Sequence, residues 1–551
     1  MTVMDRVPTR SEVRFLGPPT DLAGLFRATA DAQPDAPFLR FGARAWTYAE
    51  VAADARALAA AFQDVGVEKG DRIVVLLPNL VETVVTIMAA AELGALIVPI
   101  NPQSSPRELR FVLRNTEAMI AVIAERVGEV EYLELFESML PDLPSLQYLA
   151  TVGEEDLWYD DRIFQFEDLV SAGRGLGFES VDVTTEDALA VLYTAGTSQK
   201  QKGVVLSHGN LLAAGWATAS ALGMSAADST LCSVPLFNIF GLGATLLPTL
   251  VTGGSLILQE QFDAAEALDL IEAHGPTVLH GVPTMFVLML RELGERPAEV
   301  ESLRTGIIAG APVAPELVRA IRRDLVPEVE IAYGLTESSS TVSITQPSDG
   351  DDRETSVGRP VAGVDIAILD ADEHQLAIGQ VGHIAIRGPT VMQGYFRQPA
   401  TTRAAMTGDG FLRTGDLGNF DSAGFLHIVG RESDVILRGG YGVHPREVED
   451  YLRSHPAVDE AVVVGVPNEV LGELICACVI PVEGALVSPD EIRQHCRPAL
   501  AEYKLPDIVR FLEEFPHPEE GRSQRAELAH MMRLFDTVAE GEPDPAGRGD
   551  N

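Results

Sequence analysis

The chain has 551 residues, of which 46% are hydrophobic and 22% charged, so it has enough apolar material for a sizeable core and too much for wholesale disorder. At about 100–200 residues per domain, this length predicts several domains or one large domain with subdomains. Acidic residues (81) outnumber basic ones (41), and the net charge of −40 argues against nucleic acid as a main partner because it repels a phosphate backbone.

Helical and strand patterns alternate along the first 430 residues. Residues 48–62 have helical spacing, residues 71–79 are typical of a buried strand, and residues 84–100 are typical of a buried helix followed by a strand. Similar units follow at ELRFVLRNTEAMIAVIAE, at GGSLILQE before a helix over 263–274, and at TGIIAGAPVAPELVRAIRR. This alternation predicts an α/β region with parallel crossovers and several subdomains over residues 20–430.

The pattern changes near residue 430. A short strand, a glycine turn, a helix and another strand follow one another in VILRGGYGVHPREVEDYLRSHPAVDEAVVVGV, which predicts a small α+β domain over residues 434–535. Residues 538–551 are rich in Gly, Pro and Asp and predict a disordered tail.

The cysteines and the longest apolar run bear on location. Four cysteines without paired CxxC spacing do not suggest zinc or a disulfide scaffold, so we expect them to be buried fillers in a reduced, cytoplasmic protein. The apolar run over 84–100 is broken by Glu92 and Gly94, and we therefore predict no membrane span.

The segment LYTAGTSQKQKGVVLSHGN (192–210) is a strand that runs into a loop rich in hydroxyl groups and glycine, with two lysines. Backbone N–H groups, Thr hydroxyls and an ammonium in one loop are suited to holding phosphates. The loop is not a Walker A motif, because no Gly-Lys-Ser/Thr begins a helix there.

Three more segments accompany this loop: AYGLTES (332–338), RTGDLGNF (413–420) and IVGRESDVILRGGYGVHPREVE (428–449). Taken in this order and spacing, the four segments resemble the adenylate-forming superfamily of acyl-CoA synthetases, luciferases and amino-acid adenylation domains. Weaker similarity, including HGVPTMF (280–286) and VMQGYF (391–396), extends over nearly the whole chain. The resemblance implies a large N-terminal AMP-binding domain and a small mobile C-terminal domain.

Members of this superfamily join a carboxylate to ATP as an acyl adenylate, and a thiol, usually of CoA, then displaces AMP. The resemblance implies that Tyr333 stacks on adenine, Thr336 contacts the α-phosphate and Glu337 holds Mg²⁺. Asp416 would accept both ribose hydroxyls, and Arg431 would add a donor there. The residues expected to hold AMP or ATP are Thr194, Gly196, Thr197, Lys202, Gly310, Ala311, Pro312, Ala332, Tyr333, Gly334, Thr336, Asp416 and Arg431.

The resemblance also assigns a CoA tunnel, a hinge and an acyl pocket. Gly439, Gly440 and Tyr441 match the turn that lines the pantetheine tunnel, and Ser433 occupies the hinge position. A mostly apolar pocket that suggests a hydrophobic carboxylic acid is expected from Asn238, His280, Val282, Met285 and Ser338.

The chain departs from the family pattern on the pyrophosphate side. Arg522 stands where the family has its adenylation lysine, and no lysine occurs after Lys504. Arg keeps the charge, but its planar fork is not a simple replacement for a compact ammonium. In the phosphate loop, residues expected to be Ser, Gly and Pro are replaced by Ala195, Gln199 and Gln201.

These features predict an acyl-CoA ligase that forms a thioester from an acyl adenylate and CoA, with ATP-dependent adenylation impaired or absent. Thr336, Glu337 and Arg522 are its expected catalytic residues. ATP and Mg²⁺ are needed only if adenylation is retained; otherwise a separate adenylating enzyme would supply the adenylate. The alternatives are a complete two-step synthetase, transfer to a carrier-protein phosphopantetheine, a non-catalytic scaffold that binds acyl-AMP or nucleotide, and a luciferase-like oxygenase.

Overall fold

The computed structural model of the protein describes residues 21–153, 161–194, 201–311, 313–354, 356–431, 436–443, 445–482, 484–516, 525, 528–529 and 531–532. The chain divides into two compact units. Among the described residues, those within 21–102, 108–194 and 201–431 form the larger unit, and 103–107 and those from 436 onward form the smaller one. The tail expected over 538–551 and the hinge residue Ser433 lie outside the described residues.

The first part of the chain, residues 21–194, alternates strands and helices. The strands are β1 (Pro37–Phe41), β2 (Arg44–Thr47), β3 (Arg72–Leu76), β4 (Leu96–Pro99), β5 (Ile120–Ala124), β6 (Arg126–Val127), β7 (Val130–Glu131), β8 (Tyr148–Val152), β9 (Ile163–Gln165) and β10 (Ala188–Thr194). The helices are α1 (Leu22–Ala32), α2 (Tyr48–Asp64), α3 (Val81–Leu93), α4 (Pro106–Thr116), α5 (Tyr132–Met139) and α6 (Phe166–Gly173), with a 3₁₀ turn at Leu140–Asp142.

The second part, residues 201–431, continues with longer strands. They are β11 (Lys202–Ser207), β12 (Ser229–Cys232), β13 (Ser255–Leu258), β14 (Val278–Leu279), β15 (Thr305–Ile308), β16 (Glu328–Leu335), β17 (Ser340–Ile344), β18 (Arg359–Pro360), β19 (Asp365–Leu369), β20 (Gly382–Arg387), β21 (Gly394–Tyr395), β22 (Leu412–Phe420) and β23 (Leu426–Arg431). The helices are α7 (His208–Ala221), α8 (Ile239–Gly241), a π-helical turn (Leu242–Leu246), α9 (Leu247–Thr252), α10 (Ala264–His274), α11 (Pro283–Glu295), α12 (Pro315–Asp324) and α13 (Pro399–Ala405), with 3₁₀ segments at Thr336–Ser338 and Pro347–Glu354.

Within the described ranges, the larger unit contains two mainly parallel sheets. One has the strand order β18-β17-β16-β15-β14-β12-β13-β1-β2 and is parallel from β16 to β1. The other has the order β21-β11-β10-β4-β3-β5-β8-β9 and is parallel from β10 to β9. The α/β class and the helix–strand pair expected over 84–100 are confirmed.

Helix α3 shows how the core forms. Its side chains are buried on all sides, as expected for a helix that is apolar all round, and it packs against α1 and α2. Helix α2 begins with a capping box in which Thr47 and Glu50 satisfy each other's backbone N–H groups. The four cysteines are buried, as predicted.

Residues 365–431 depart from the prediction of parallel crossovers. Strands β19, β20, β22 and β23 form an antiparallel sheet in that order. The chain between β22 and β23 is only five residues long, which is too short for the crossover that a parallel pair requires.

The smaller unit contains an antiparallel sheet with one added parallel strand. Its strands are β24 (Ile436–Arg438), β25 (Tyr441–Val443), β26 (Val458–Asn468), β27 (Gly472–Pro481) and β28 (Ile508–Phe511), and its helices are α14 (Pro445–Leu452) and α15 (Pro489–Cys496) with a 3₁₀ turn at Glu502–Lys504. Strand β28 pairs in parallel with β27. The predicted strand, glycine turn, helix and strand are present in this order, with the unpredicted short strand β25 between the turn and the helix.

Candidate active site

Three parallel strands of the larger unit, β14, β15 and β16, end side by side. The carboxyl ends of such strands are the usual ligand-binding edge of an α/β sheet. After β15 the backbone turns at Gly310 with φ of +89°, where an added Cβ would lie 3.3 Å from Val282 Cγ1. This turn therefore favours glycine and brings the 309–311 backbone close to the loop after β14.

A tyrosine and a buried aspartate meet next to this edge. The Tyr333 hydroxyl donates a hydrogen bond of 2.6 Å to Oδ2 of Asp416, which is only 3% exposed. Asp416 lies in β22, directly opposite Arg431 of β23 in the antiparallel register. The two residues expected to bind adenine and ribose thus lie in contact although 83 positions separate them.

The turn with Thr336 and Glu337 follows β16 and is held at both ends. Ser338 Oγ accepts a hydrogen bond from Leu335 N and donates to carbonyl oxygens of the same turn. Glu337 O accepts from Met392 N. Ser339 then adopts a left-handed φ of 57°, and its hydroxyl donates to Thr390 O over 2.8 Å. These contacts fix the position of the Glu337 backbone.

Tyr395 links two of the expected phosphate-side residues. Its hydroxyl donates to Glu337 Oε1 over 2.9 Å, and Lys202 Nζ lies 4.9 Å from the centroid of its ring. Burial and the neighbouring Glu337 raise the pKa of Tyr395, so the hydroxyl stays protonated and remains a donor. The candidate residues did not include Tyr395, although the motif that contains it, VMQGYF, carried the signal.

The segment predicted to bind phosphates lies in the sequence between β10 and β11. Thr194 and Lys202 are paired directly opposite each other at the ends of these antiparallel strands. Gln201 Nε2 lies 3.5 Å from Glu108 Oε1. Gly196 and Thr197 lie outside the described residues, as do Pro312, Arg522 and the side chain of Arg431.

The expected acyl-pocket residues lie on two neighbouring segments. Asn238 caps α8, because its Oδ1 accepts hydrogen bonds from the N–H groups of Phe240 and Gly241. His280 is fully buried after β14, and its ring lies 6.3 Å from that of Phe240. Val282 caps α11 without a side-chain hydrogen bond. The acyl pocket therefore stays a prediction. Asn238 also has a local structural role as the cap of α8.

The turn between β24 and β25 in the smaller unit carries the expected tunnel residues. Gly439 and Gly440 have φ values of 56° and 82°, which favour glycine at both positions. Tyr441 stacks on Tyr503, with ring centroids 4.5 Å apart. The adjacent Lys504 is only 1% exposed, and its Nζ donates to Glu447 Oε1 over 3.0 Å.

Comparison with known proteins decides the family. The sequence model of the AMP-binding enzyme family matches residues 26–396, and that of the AMP-binding enzyme C-terminal domain matches residues 447–522. The chain belongs to the AMP-binding enzyme family. It is an adenylate-forming ligase of the superfamily that the four sequence segments resemble.

Relatives of this AMP-binding enzyme are similar over nearly their full length. A putative acyl-CoA synthetase, YngI, from Bacillus subtilis is 31% identical, with 92% of this chain and 95% of the relative covered. The amide bond synthetase McbA from Marinactinospora thermotolerans has a TM-score of 0.82 and 27% identity, covering 92% of this chain and 99% of that one. The o-succinylbenzoate CoA synthetase MenE from Bacillus subtilis has a TM-score of 0.79 and 28% identity, covering 92% and 97%.

Across the described residues, no group of three or more His, Cys, Asp or Glu side chains is placed to hold a metal ion. Glu337 offers a single carboxylate, which fits Mg²⁺, since that ion is commonly held by one or two carboxylates together with substrate phosphates. In the part of the chain that the structure describes, no helix is long and apolar enough to cross a membrane.

Proposed function

We propose that this AMP-binding enzyme forms a thioester from an acyl adenylate and CoA. The CoA sulfur bonds to the acyl carbonyl carbon, the bond from that carbon to the AMP oxygen breaks, AMP leaves with the electron pair, and the thiol proton passes to solvent. The relatives named as an acyl-CoA synthetase and a CoA synthetase support CoA as the acceptor. The acyl group is a hydrophobic carboxylic acid in this proposal, because the expected pocket includes Val282 and Met285, and the ring of Phe240 lies beside that of His280.

The AMP portion would be held by residues of the larger unit. Asp416 is a buried acceptor for ribose hydroxyls, and Tyr333 offers an aromatic face for adenine beside it. The N–H and hydroxyl groups of Thr336 would contact the α-phosphate. Attack on a mixed anhydride depends more on this positioning and on a stabilised leaving phosphate than on a strong general base.

The adenylation half-reaction is impaired in this proposal. The observation that carries it is the state of Lys504, the last of four lysines in the sequence. Its ammonium is buried and paired with Glu447, so it is unavailable for the carboxylate and phosphate that the family lysine bridges. Arg522 has the charge but not the compact shape of an ammonium. Loss of one preorganised donor typically costs on the order of 10²–10³ in rate.

Two consequences follow for cofactors and partners. CoA and the adenylate are the substrates of the proposed reaction, while ATP and Mg²⁺ are needed only to the extent that adenylation is retained. Glu337 would then hold Mg²⁺, positioned by the Tyr395 hydroxyl. A separate adenylating enzyme would supply the acyl adenylate.

A two-arm assay on the purified chain tests the proposal. One arm contains ATP, Mg²⁺ and a panel of carboxylic acids, the other contains the corresponding synthetic acyl adenylates, and both contain CoA. We expect thioester at least 100-fold faster from the adenylates. Equal rates, with pyrophosphate released in the first arm, would instead identify a complete two-step synthetase. Binding of adenylates without thioester would identify a scaffold.

An amine acceptor is a second candidate, favoured by the similarity to the amide bond synthetase. The adenylate arm is therefore repeated with a primary amine, and with a phosphopantetheinylated carrier protein, in place of CoA. If either acceptor gives product faster than CoA does, the proposed product is an amide or a carrier-protein thioester instead of an acyl-CoA.

A further inference from the structure

His280 has an unusual hydrogen-bonding state at the carboxyl edge of the sheet. It follows β14 directly, is fully buried, and its Nδ1 accepts a 3.0 Å hydrogen bond from Ile307 N of β15. Burial lowers the pKa of His280 to about 3, so the imidazole is neutral near pH 7. Because Nδ1 acts as the acceptor, the single proton lies on Nε2.

This Nε2–H donor has no hydrogen-bond partner among the residues that the structure describes. The ring of Phe240 lies beside the imidazole, with the two ring centroids 6.3 Å apart. A buried donor in apolar surroundings costs free energy unless an acceptor reaches it, and buried polar groups in native proteins normally have one.

A second buried histidine, His208, has the same hydrogen-bonding pattern as His280 but lies elsewhere in the fold. His208 also accepts from a backbone N–H, that of Leu22, and its Nε2 also has no partner within the described chain. His208, however, is the first residue of α7 and meets α1, away from the ends of β14 and β15. His280 lies at the edge where Gly310 follows β15 and Tyr333 lies near the end of β16.

We propose that the Nε2–H of His280 donates a hydrogen bond to a neutral oxygen of the acyl group. The acid is then mostly apolar but carries a ketone, ether or hydroxyl oxygen along its chain or ring. A neutral oxygen matches a neutral donor in an apolar setting, where a second carboxylate would lose far more hydration than one such bond returns. This inference rests on the proposed function, because it gives the acyl group a specificity contact at the same site.

Stable acyl-sulfamoyl adenosines, which mimic acyl adenylates, provide the probes. A series of octanoyl compounds carries a ketone at one carbon from C4 to C7, and each has a methylidene twin of the same shape without an acceptor. Titration calorimetry measures the Kd of each pair. We expect about tenfold tighter binding for the ketone at one position, the size of one neutral hydrogen bond.

Three variants separate this contact from a structural role. His280→Asn keeps an oxygen for Ile307 N but removes the Nε2 donor, and we expect the ketone preference to disappear. His280→Gln places an amide N–H near the Nε2 position and should retain part of it. His208→Asn is the matched control and should keep the full preference. Thermal unfolding of each variant checks that it is folded.

Each result has a defined meaning. Equal binding of ketone and methylidene twins at every position contradicts this inference while leaving the proposed function intact, because the adenosine portion still binds. A ketone preference that survives His280→Asn also contradicts it. If no analogue binds, the proposed function fails and the inference fails with it.

Discussion

For the proposed impairment of adenylation, the residues that matter most are the cations after position 500. Lys504 lies in the smaller unit under Tyr503, with its ammonium on Glu447, so its charge serves the packing of that unit. Further along, Arg525 pairs with Glu449 at 2.7 Å. This ion pair anchors the segment three residues after Arg522.

The proposed impairment of adenylation predicts that restoring the family lysine restores this half-reaction. For Arg522→Lys we expect ATP–pyrophosphate exchange with a suitable acid to rise about 100-fold, because a compact ammonium can bridge carboxylate and phosphate where a guanidinium cannot. Thioester formation from a synthetic adenylate should change less than threefold. The exchange of labelled pyrophosphate into ATP measures the first effect.

Arg522→Ala is the matched control for this change. It should leave exchange as low as in the parent chain, because Arg522 contributes little to it. If exchange is already fast in the parent chain and falls in Arg522→Ala, then Arg522 itself performs the lysine's task and the chain is a two-step synthetase.

At the scale of elements, β14 and β15 end where the proposed nucleotide edge and the proposed acyl pocket lie. Gly306, in the middle of β15, packs so closely that an added Cβ would lie 1.7 Å from Leu279 O. Gly294 near the end of α11 has no atom within 4 Å of the same virtual Cβ. We therefore expect substitution by alanine to have opposite effects on stability at these two glycines.

Gly306→Ala should destabilise the larger unit by about 3 kcal/mol, since overpacking against backbone must push the two strands apart. It should also weaken binding of an acyl-sulfamoyl adenosine, because the turn at Gly310 follows β15 directly. Gly294→Ala should stabilise by about 0.5–1 kcal/mol, since alanine favours the helix and meets no obstacle. Urea unfolding, monitored by tryptophan fluorescence, measures both changes in stability. Similar midpoints for the two variants would contradict this account of the strand contact.

The helices and strands also show which parts of the fold could be predicted from the sequence. Periodicity and glycine punctuation found α2, α10 and α12, and contiguous motifs found the Thr336 turn, because the information for these is local. The contact of Tyr333 with Asp416 joins segments far apart in the chain and depends on strand order, which periodicity does not encode. Tyr395 was not predicted as a site residue for the same reason, because its partner Glu337 is 58 residues away.

At the scale of the whole molecule, charge and burial act in opposite directions as the pH falls. With a net charge of −40, protonation reduces repulsion among the acidic groups and favours the folded chain. The two buried histidines act against this trend. Both lie in the larger unit, and all three tryptophans of the sequence also precede residue 217, so fluorescence reports on that unit.

Acid should therefore destabilise the larger unit through His208 and His280. Burial lowers their pKa values from 6.5 to about 4 and about 3, so the unfolded chain takes up protons first. Their contribution is complete above pH 6.5 and is lost as the pH falls toward the folded values, about 2 kcal/mol per histidine by pH 5. Urea unfolding is measured at pH 7 and pH 5 for the parent chain and for the double variant His208→Asn with His280→Asn. The contributions of all other titratable groups cancel when the pH-dependent losses of the two chains are compared. We expect the parent chain to lose about 4 kcal/mol more than the variant. Equal losses in the two chains would mean that neither histidine is held neutral by the fold.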